Sequence, residues 1–224
     1  MNTKPILGAG AILGAFAIAG VGLVVVTNYL TEDRIANNLR QAMLSKFSAI
    51  LPVDTGPEAP IMGNDILDDR IQVRAPDLLG APATDVYRVR QGGRPVAVIL
   101  NPTVPDGYAG PIRLLVAVKT DGTLGGVRVL DHHETPGLGD RIEERKSDWI
   151  KVQFEGKGLG HPPEDRWLVK RDGGDFDQFT GATITPRSIV KAVRNTLKFV
   201  AREGDALYEK PAETAPAPDS KEAS

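Results

Sequence analysis

The sequence predicts an α+β protein: a mainly antiparallel sheet flanked by helices and preceded by a single N-terminal transmembrane helix. Three observations carry that expectation. An apolar run fills Pro5–Val26, hydrophobic residues alternate with a period of two between Ala83 and Leu130, and helical spacing returns after Pro186.

The apolar run "PILGAGAILGAFAIAGVGLVVV" contains no charged or strongly polar side chain. At about 1.5 Å per residue it makes roughly 33 Å of helix, enough for a hydrocarbon core of about 30 Å. A cleaved signal peptide would be shorter and end in small residues, whereas here Leu23-Val24-Val25-Val26 close the run. Residues 1–30 are therefore expected to be an uncleaved anchor. Lys4 precedes the run and Glu32 and Asp33 follow it, so the positive-inside tendency places the N-terminus in the cytoplasm and the bulk of the chain outside. Gly10 and Gly14 form a GxxxG pair, readable as a helix-docking face or as small residues that a membrane helix tolerates.

Residues 31–82 are expected to hold an amphipathic helix and a connecting segment. Thr31 is the expected N-cap, Ile35, Leu39, Met43 and Phe47 the apolar stripe, and Pro52 the stop. Next come four expected strands, "DVYRVR", "PVAVIL", "PIRLLVAVK" and "TLGGVRVL", with turns at Gln91-Gly92-Gly93 and Thr120-Asp121-Gly122. "DRWLVK", Asp165–Lys170, is a candidate fifth. The last helix is expected to start with Thr185 as N-cap and Pro186 at the first helical position, burying Ile189, Val193, Leu197 and Val200. The folded domain is expected over 83–209. Residues 210–224, polar and rich in Pro and Ala, are expected to be disordered.

Composition narrows the chemistry. Lys and Arg number 27 against 29 Asp and Glu, with no long basic patch, so nucleic acid is not an expected partner. Cysteine is absent, which removes disulfides, Cys-ligated iron–sulfur clusters and thiol catalysis from the chain's own repertoire. There are 3 histidines; His132 and His133 are sequence neighbours and would point to opposite faces of a strand, so no metal site is expected.

Two loops carry more than a connection needs. In Asp131–Ile150, Glu134-Thr135-Pro136-Gly137-Leu138-Gly139 sets two glycines around one leucine. That pattern lets backbone approach a flat partner, and it equally suits a turn-rich crossover. In Asp175–Leu197, Thr180, Thr183 and Thr185 crowd a Gly181-Ala182 turn just ahead of a helix. Either the hydroxyls satisfy backbone donors there, or Thr183 stands where exposed N–H groups and the helix dipole favour an anion.

Taken together, "HETPGLGD" (His133–Asp140), "KSDWI" (Lys146–Ile150) and "DQFTGATITPRSIVKAV" (Asp177–Val193) resemble the G subunit of the bacterial Rnf (Rsx) ion-translocating electron transport complex. The chain is similar, more distantly, to the C subunit of the sodium-translocating NADH:quinone reductase. The resemblance implies FMN joined through its phosphate to a threonine, matched here by Thr183. It implies a separate flavin transferase that takes FMN from FAD and reads Asp177, Thr180, Gly181, Ala182 and Thr183. It also implies flavin contacts from Glu134, Thr135, Gly137, Leu138, Gly139, Thr180, Gly181 and Ala182.

The resemblance further implies an inner-membrane, single-pass protein with its soluble domain on the periplasmic side. Such a protein relays electrons beside the other subunits of a complex that links reduced ferredoxin and NAD to ion transport. No residue is expected to be catalytic, and the chain is not expected to act as an enzyme alone. The span holds no ionisable residue to carry an ion. A C-type quinone-reductase subunit and a cofactor-free anchored binding or sensing module are the alternatives.

Overall fold

The computed structural model describes residues 4–51 and 65–212. It divides into two compact units, residues 1–45 and residues 46–224.

A single helix, α1 (Lys4–Ile50), runs through the anchor and the expected amphipathic segment without a break. Thr31 is therefore not a cap. Its hydroxyl donates back to the Thr27 carbonyl at 2.7 Å, as Thr27 does to Leu23 at 2.8 Å, so both polar groups are absorbed inside the helix. Ile12–Glu32 is apolar and long enough to cross a membrane, with a mean hydropathy of 1.9. Leu13, Phe16 and Ile18 are all at least 75% exposed, the outward apolar surface that a lipid-facing helix presents. Of the expected stripe beyond it, Ile35 and Met43 are exposed and Phe47 is buried. Pro52 lies outside the described residues.

The second unit is built on six strands: β1 (Arg70–Val73), β2 (Thr84–Gln91), β3 (Arg94–Leu100), β4 (Thr103–Val104), β5 (Ile112–Lys119) and β6 (Leu124–Asp131). Every pairing is antiparallel, in the order β1-β2-β3-β5, with β4 continuing β3 along one edge of β5 and β6 on its other edge. The four strands read from the sequence are all present. β1 and β4 are additional, and each is four residues or shorter.

Strand residues alternate between two buried faces rather than between core and water. Val98, Leu100, Leu114, Val116 and Val118 join the larger cluster with Ile189, Val193 and Leu197 of the last long helix. Ala97, Ile99, Leu115 and Ala117 face the other way, onto Phe47, Ile50 and Leu51. Gly126 of β6 makes this second layer possible. A Cβ there would stand 2.8 Å from the Ile50 carbonyl oxygen, so only glycine admits the end of α1. Burying both faces explains why these strands read as near-continuous apolar runs.

"DRWLVK" is not a strand. It forms 3₁₀ turns at Glu164–Arg166 and Lys170–Asp172, and Val169 between them makes one isolated parallel bridge to Phe176. Trp167 anchors the segment: it is fully buried and its indole N–H donates to the Pro162 carbonyl at 3.1 Å. Backbone groups then pair locally, Lys170 N with Phe176 O at 2.7 Å and Phe176 N with Leu168 O at 3.1 Å. These backbone groups are thus paired within the loop rather than with the sheet.

Short helices α2 (Asp65–Asp68), α3 (Pro76–Leu79) and α4 (Trp149–Val152) link these parts, and α5 (Ile184–Glu203) packs on the larger cluster. After α6 (Ala206–Glu209), Arg88 donates to the Lys210 carbonyl, which fastens the chain to the domain there. Of the expected disordered tail, residues 213–224 lie outside the described residues.

Candidate functional site

The two loops singled out in the sequence meet at the start of α5. The helix begins two residues earlier than the proline suggests, so Thr183, not Thr185, occupies the N-cap position. The reason is a long-range bond. Thr185 is buried, and its Oγ1 donates to Glu134 Oε2 at 2.6 Å, so its hydroxyl is unavailable for capping. Pro186 falls in the first turn, where backbone N–H groups lack helical partners and a missing donor costs nothing. Thr183 makes no capping bond with its side chain either. Its hydroxyl instead lies 3.5 Å from Arg171 Nη1.

Glu134 organises three segments. Besides Thr185 it accepts from the Ala109 N–H at 3.2 Å through Oε1, and its own N–H donates to His132 Nδ1 at 3.0 Å. Gly139 packs directly on this carboxylate. A Cβ at that position would clash with Glu134 Oε2 and lie 3.1 Å from Thr185 Oγ1. The Gly137-Leu138-Gly139 turn is closed by Asp140, whose Oδ1 accepts from the Gly137 N–H at 2.8 Å and whose other oxygen takes Lys146. Lys146 holds the Asp140 carboxyl below the usual carboxylate range. Arg145, with His132 and Lys146 behind it, does the same for Glu143.

Between the loops lies a cavity of about 270 Å³, lined by Glu134, Thr135, Leu138, Gly139, Gly181, Ala182 and Thr183 together with Tyr108, Ile184 and Thr185. Gly137 and Thr180 flank it without lining it, each in an exposed turn. Its mouth is apolar and open: Tyr108, Leu138 and Ile184 are 67%, 46% and 44% exposed. The arrangement suits a ligand with a flat apolar part and an anionic part. The first would lie over Leu138 and Tyr108, and the second at the α5 N-terminus, where exposed N–H groups and Arg171 favour negative charge.

Tyr108 was not legible from the sequence. Its segment, "PDGYAG", reads as a bare turn, and the tyrosine reaches the cavity only because the Ala109 N–H is fastened to Glu134.

Asp177 stands apart from the cavity. Gln153 and Asp177 exchange bonds, Asp177 N–H to Gln153 Oε1 at 2.8 Å and Gln153 Nε2 to Asp177 Oδ2 at 3.0 Å. Trp149 Nε1 donates to the Asp177 carbonyl at 2.8 Å, and Lys170 pairs with the remaining carboxylate oxygen at 2.5 Å. Among the described residues no group of three possible metal ligands assembles, and His132 Nε2 sits 3.1 Å from Glu143 Oε1.

Fold and cavity define a class: a small α+β domain with an open, partly apolar site at a helix N-terminus, carried on a helix long enough to span a membrane. Family comparison specifies it. Residues 107–198 match the FMN-binding domain, and residues 1–50 match the RnfG N-terminal region. The chain is 43% identical over 202 residues to the G subunit of the ion-translocating oxidoreductase complex of Vibrio atlanticus (strain LGP32), covering 90% of this chain and 93% of the relative. It is 48% identical over 189 residues to the protein of the same name from Pseudomonas aeruginosa (strain UCBPP-PA14), covering 84% and 85%. Against that of Salmonella typhi it is 44% identical over 191 residues, covering 85% and 89%.

The chain belongs to the G-subunit family of Rnf-type ion-translocating oxidoreductase complexes. It is a membrane-located flavoprotein component of an ion-translocating electron transport complex and binds FMN.

Proposed function

We propose that FMN is attached covalently, through its phosphate, to Thr183 Oγ1, and that the domain relays electrons on the periplasmic side of the inner membrane. One observation carries the assignment: Thr183 lines the cavity at a helix N-cap position yet leaves its hydroxyl out of the cap. An N-cap threonine ordinarily accepts from the N–H two or three residues on. A hydroxyl left out of that bond beside a cationic, N–H-rich surface is well placed to bear a phosphate.

Attachment needs a flavin transferase. The new Thr183 Oγ–phosphorus bond forms as the pyrophosphate bond of FAD breaks; AMP leaves, the hydroxyl proton passes to solvent, and no electron moves. Asp177, Thr180, Gly181, Ala182 and Thr183 supply the recognised surface. When bound, FMN supplies redox chemistry in one-electron steps, and the protein sets where that chemistry occurs. Thr135, Leu138, Gly139, Gly181 and Ala182 form the cavity wall against the ring, with Tyr108 and Ile184 at the mouth. Glu134 positions that wall, and Gly137 and Thr180 shape the two turns. Ester attachment suits an open site, since a shallow cavity retains a free ligand poorly.

Lys4 before the span and the acidic pair after it support a cytoplasmic N-terminus and an external domain. Electrons would then pass between partner subunits while other subunits move the ion.

The test is direct. Full-length protein made beside a flavin transferase is expected to gain the mass of one FMN less water and to run as a fluorescent band under denaturing conditions. Thr183→Val should abolish both. A Thr183→Val band that stays fluorescent would place the linkage elsewhere.

A further inference from the structure

We infer that Arg171 is the counter-cation of the phosphodiester at Thr183 and orients the phosphate during attachment. The inference rests on the proposed linkage to Thr183 and adds a residue that neither the motif nor the cavity contains.

Four basic side chains lie on the 3₁₀ turn Lys170–Asp172 and the first two turns of α5, and three of them are committed. Lys170 pairs with Asp177 at 2.5 Å, Arg187 makes a two-pronged bond to Asp172 at 2.6 and 2.8 Å, and Lys191 pairs with Asp106 at 3.0 Å. Arg171 has no carboxylate partner among the described residues. The side-chain contact it makes is with Thr183, its Nη1 lying 3.5 Å from Oγ1.

The placement of Arg171 does not depend on that contact. It sits in the 3₁₀ turn Lys170–Asp172, and its backbone N–H donates to Gln178 Oε1 at 3.3 Å. The side chain is exposed, so replacing it disturbs no core. Asp172, the nearest acid in sequence, is held below its usual range first by the bonded Arg187 and only distantly by Arg171. The guanidinium is therefore aimed at a neutral hydroxyl, with a long contact that repays little by itself. A phosphorus bonded to that oxygen changes the situation. A phosphodiester keeps one negative charge at neutral pH, and its free oxygens fall within reach of a planar, permanently charged fork. The same cation meets the incoming pyrophosphate before the bond forms, so it acts on attachment as well as on the product.

The experiment uses full-length protein in detergent, purified without flavin, then incubated with FAD and limiting transferase. Initial rates of mass gain are followed for the wild type and for Arg171→Gln, Arg171→Glu, Arg171→Lys and Thr183→Val, and the loaded proteins are compared by phosphorus NMR. Arg171→Gln is expected to load about five- to tenfold more slowly, Arg171→Glu more slowly still, and Arg171→Lys close to wild type. The diester resonance should shift in the Gln variant and largely return in the Lys variant, while thermal midpoints stay unchanged.

If Gln and Glu variants load at the wild-type rate with an unmoved resonance, the inference fails and the Thr183 linkage stands. A slower rate with an unmoved resonance assigns Arg171 to transferase contact and overturns the counter-cation role. If wild type takes up no flavin, or Thr183→Val still does, the linkage falls and this inference with it.

Discussion

Thr185 Oγ1 donates to Glu134 Oε2 at 2.6 Å, joining the first turn of α5 to a loop 51 residues earlier in the chain. This bond keeps the Thr185 hydroxyl out of the helix cap and joins the two loops that line the proposed flavin site.

Removing it should loosen both halves. Thr185→Val leaves a buried carboxylate oxygen without its donor and is expected to cost about 1–3 kcal/mol, with Thr185→Ser retaining most of that. Urea unfolding in detergent, followed by the fluorescence of buried Trp149 and Trp167, measures it. Equal stability of the Val and Ser variants would show that the bond contributes nothing.

Asp177 separates scaffold from recognition. Asparagine can still accept from Gln153 Nε2 and loses the charge that Lys170 meets at 2.5 Å on the surface. Asp177→Asn is therefore expected to keep its thermal midpoint within a degree or two, because an exposed ion pair contributes roughly 0–1 kcal/mol. Flavin loading by the transferase should fall at least severalfold. Undiminished loading would remove Asp177 from the recognised surface and leave it a scaffold residue.

Acid should open the Gly137-Leu138-Gly139 turn through Asp140. Lys146 depresses this carboxyl, so its stabilising contribution is present above the ordinary carboxylate pKa of about 4 and is lost as pH falls through the lower folded value. Asp140→Asn removes that linkage. Urea midpoints measured from pH 7 to pH 3 should decline less steeply in the variant than in the wild type. Parallel declines would show that the Asp140–Lys146 contact does not set the acid response.

Much of the fold is local in origin and could be read along the chain. Four strands, the membrane span and the last helix announce themselves through periodicity, because a stretch of apolar residues at one spacing buries a face in only one kind of element. The Glu134–Gly139 and Thr180–Thr183 loops were legible too, through glycine and threonine at close spacing. What misled was local evidence with a distant competitor. Thr31 and Thr185 both resemble caps, yet one bonds back into a continuous helix and the other turns inward to Glu134. Asp165–Lys170 resembles a strand, but buried Trp167 folds it into a loop.

From sequence alone came the anchor, the sheet, the absence of thiol chemistry and the threonine motif, since each depends on residue type and near spacing. Only the tertiary structure decided which threonine occupies the N-cap position of α5, that Tyr108 stands at the cavity mouth and that Arg171 faces Thr183. Those outcomes turn on side chains far apart in the chain competing for the same few hydrogen-bonding groups, and no local pattern records which of them meets its partner.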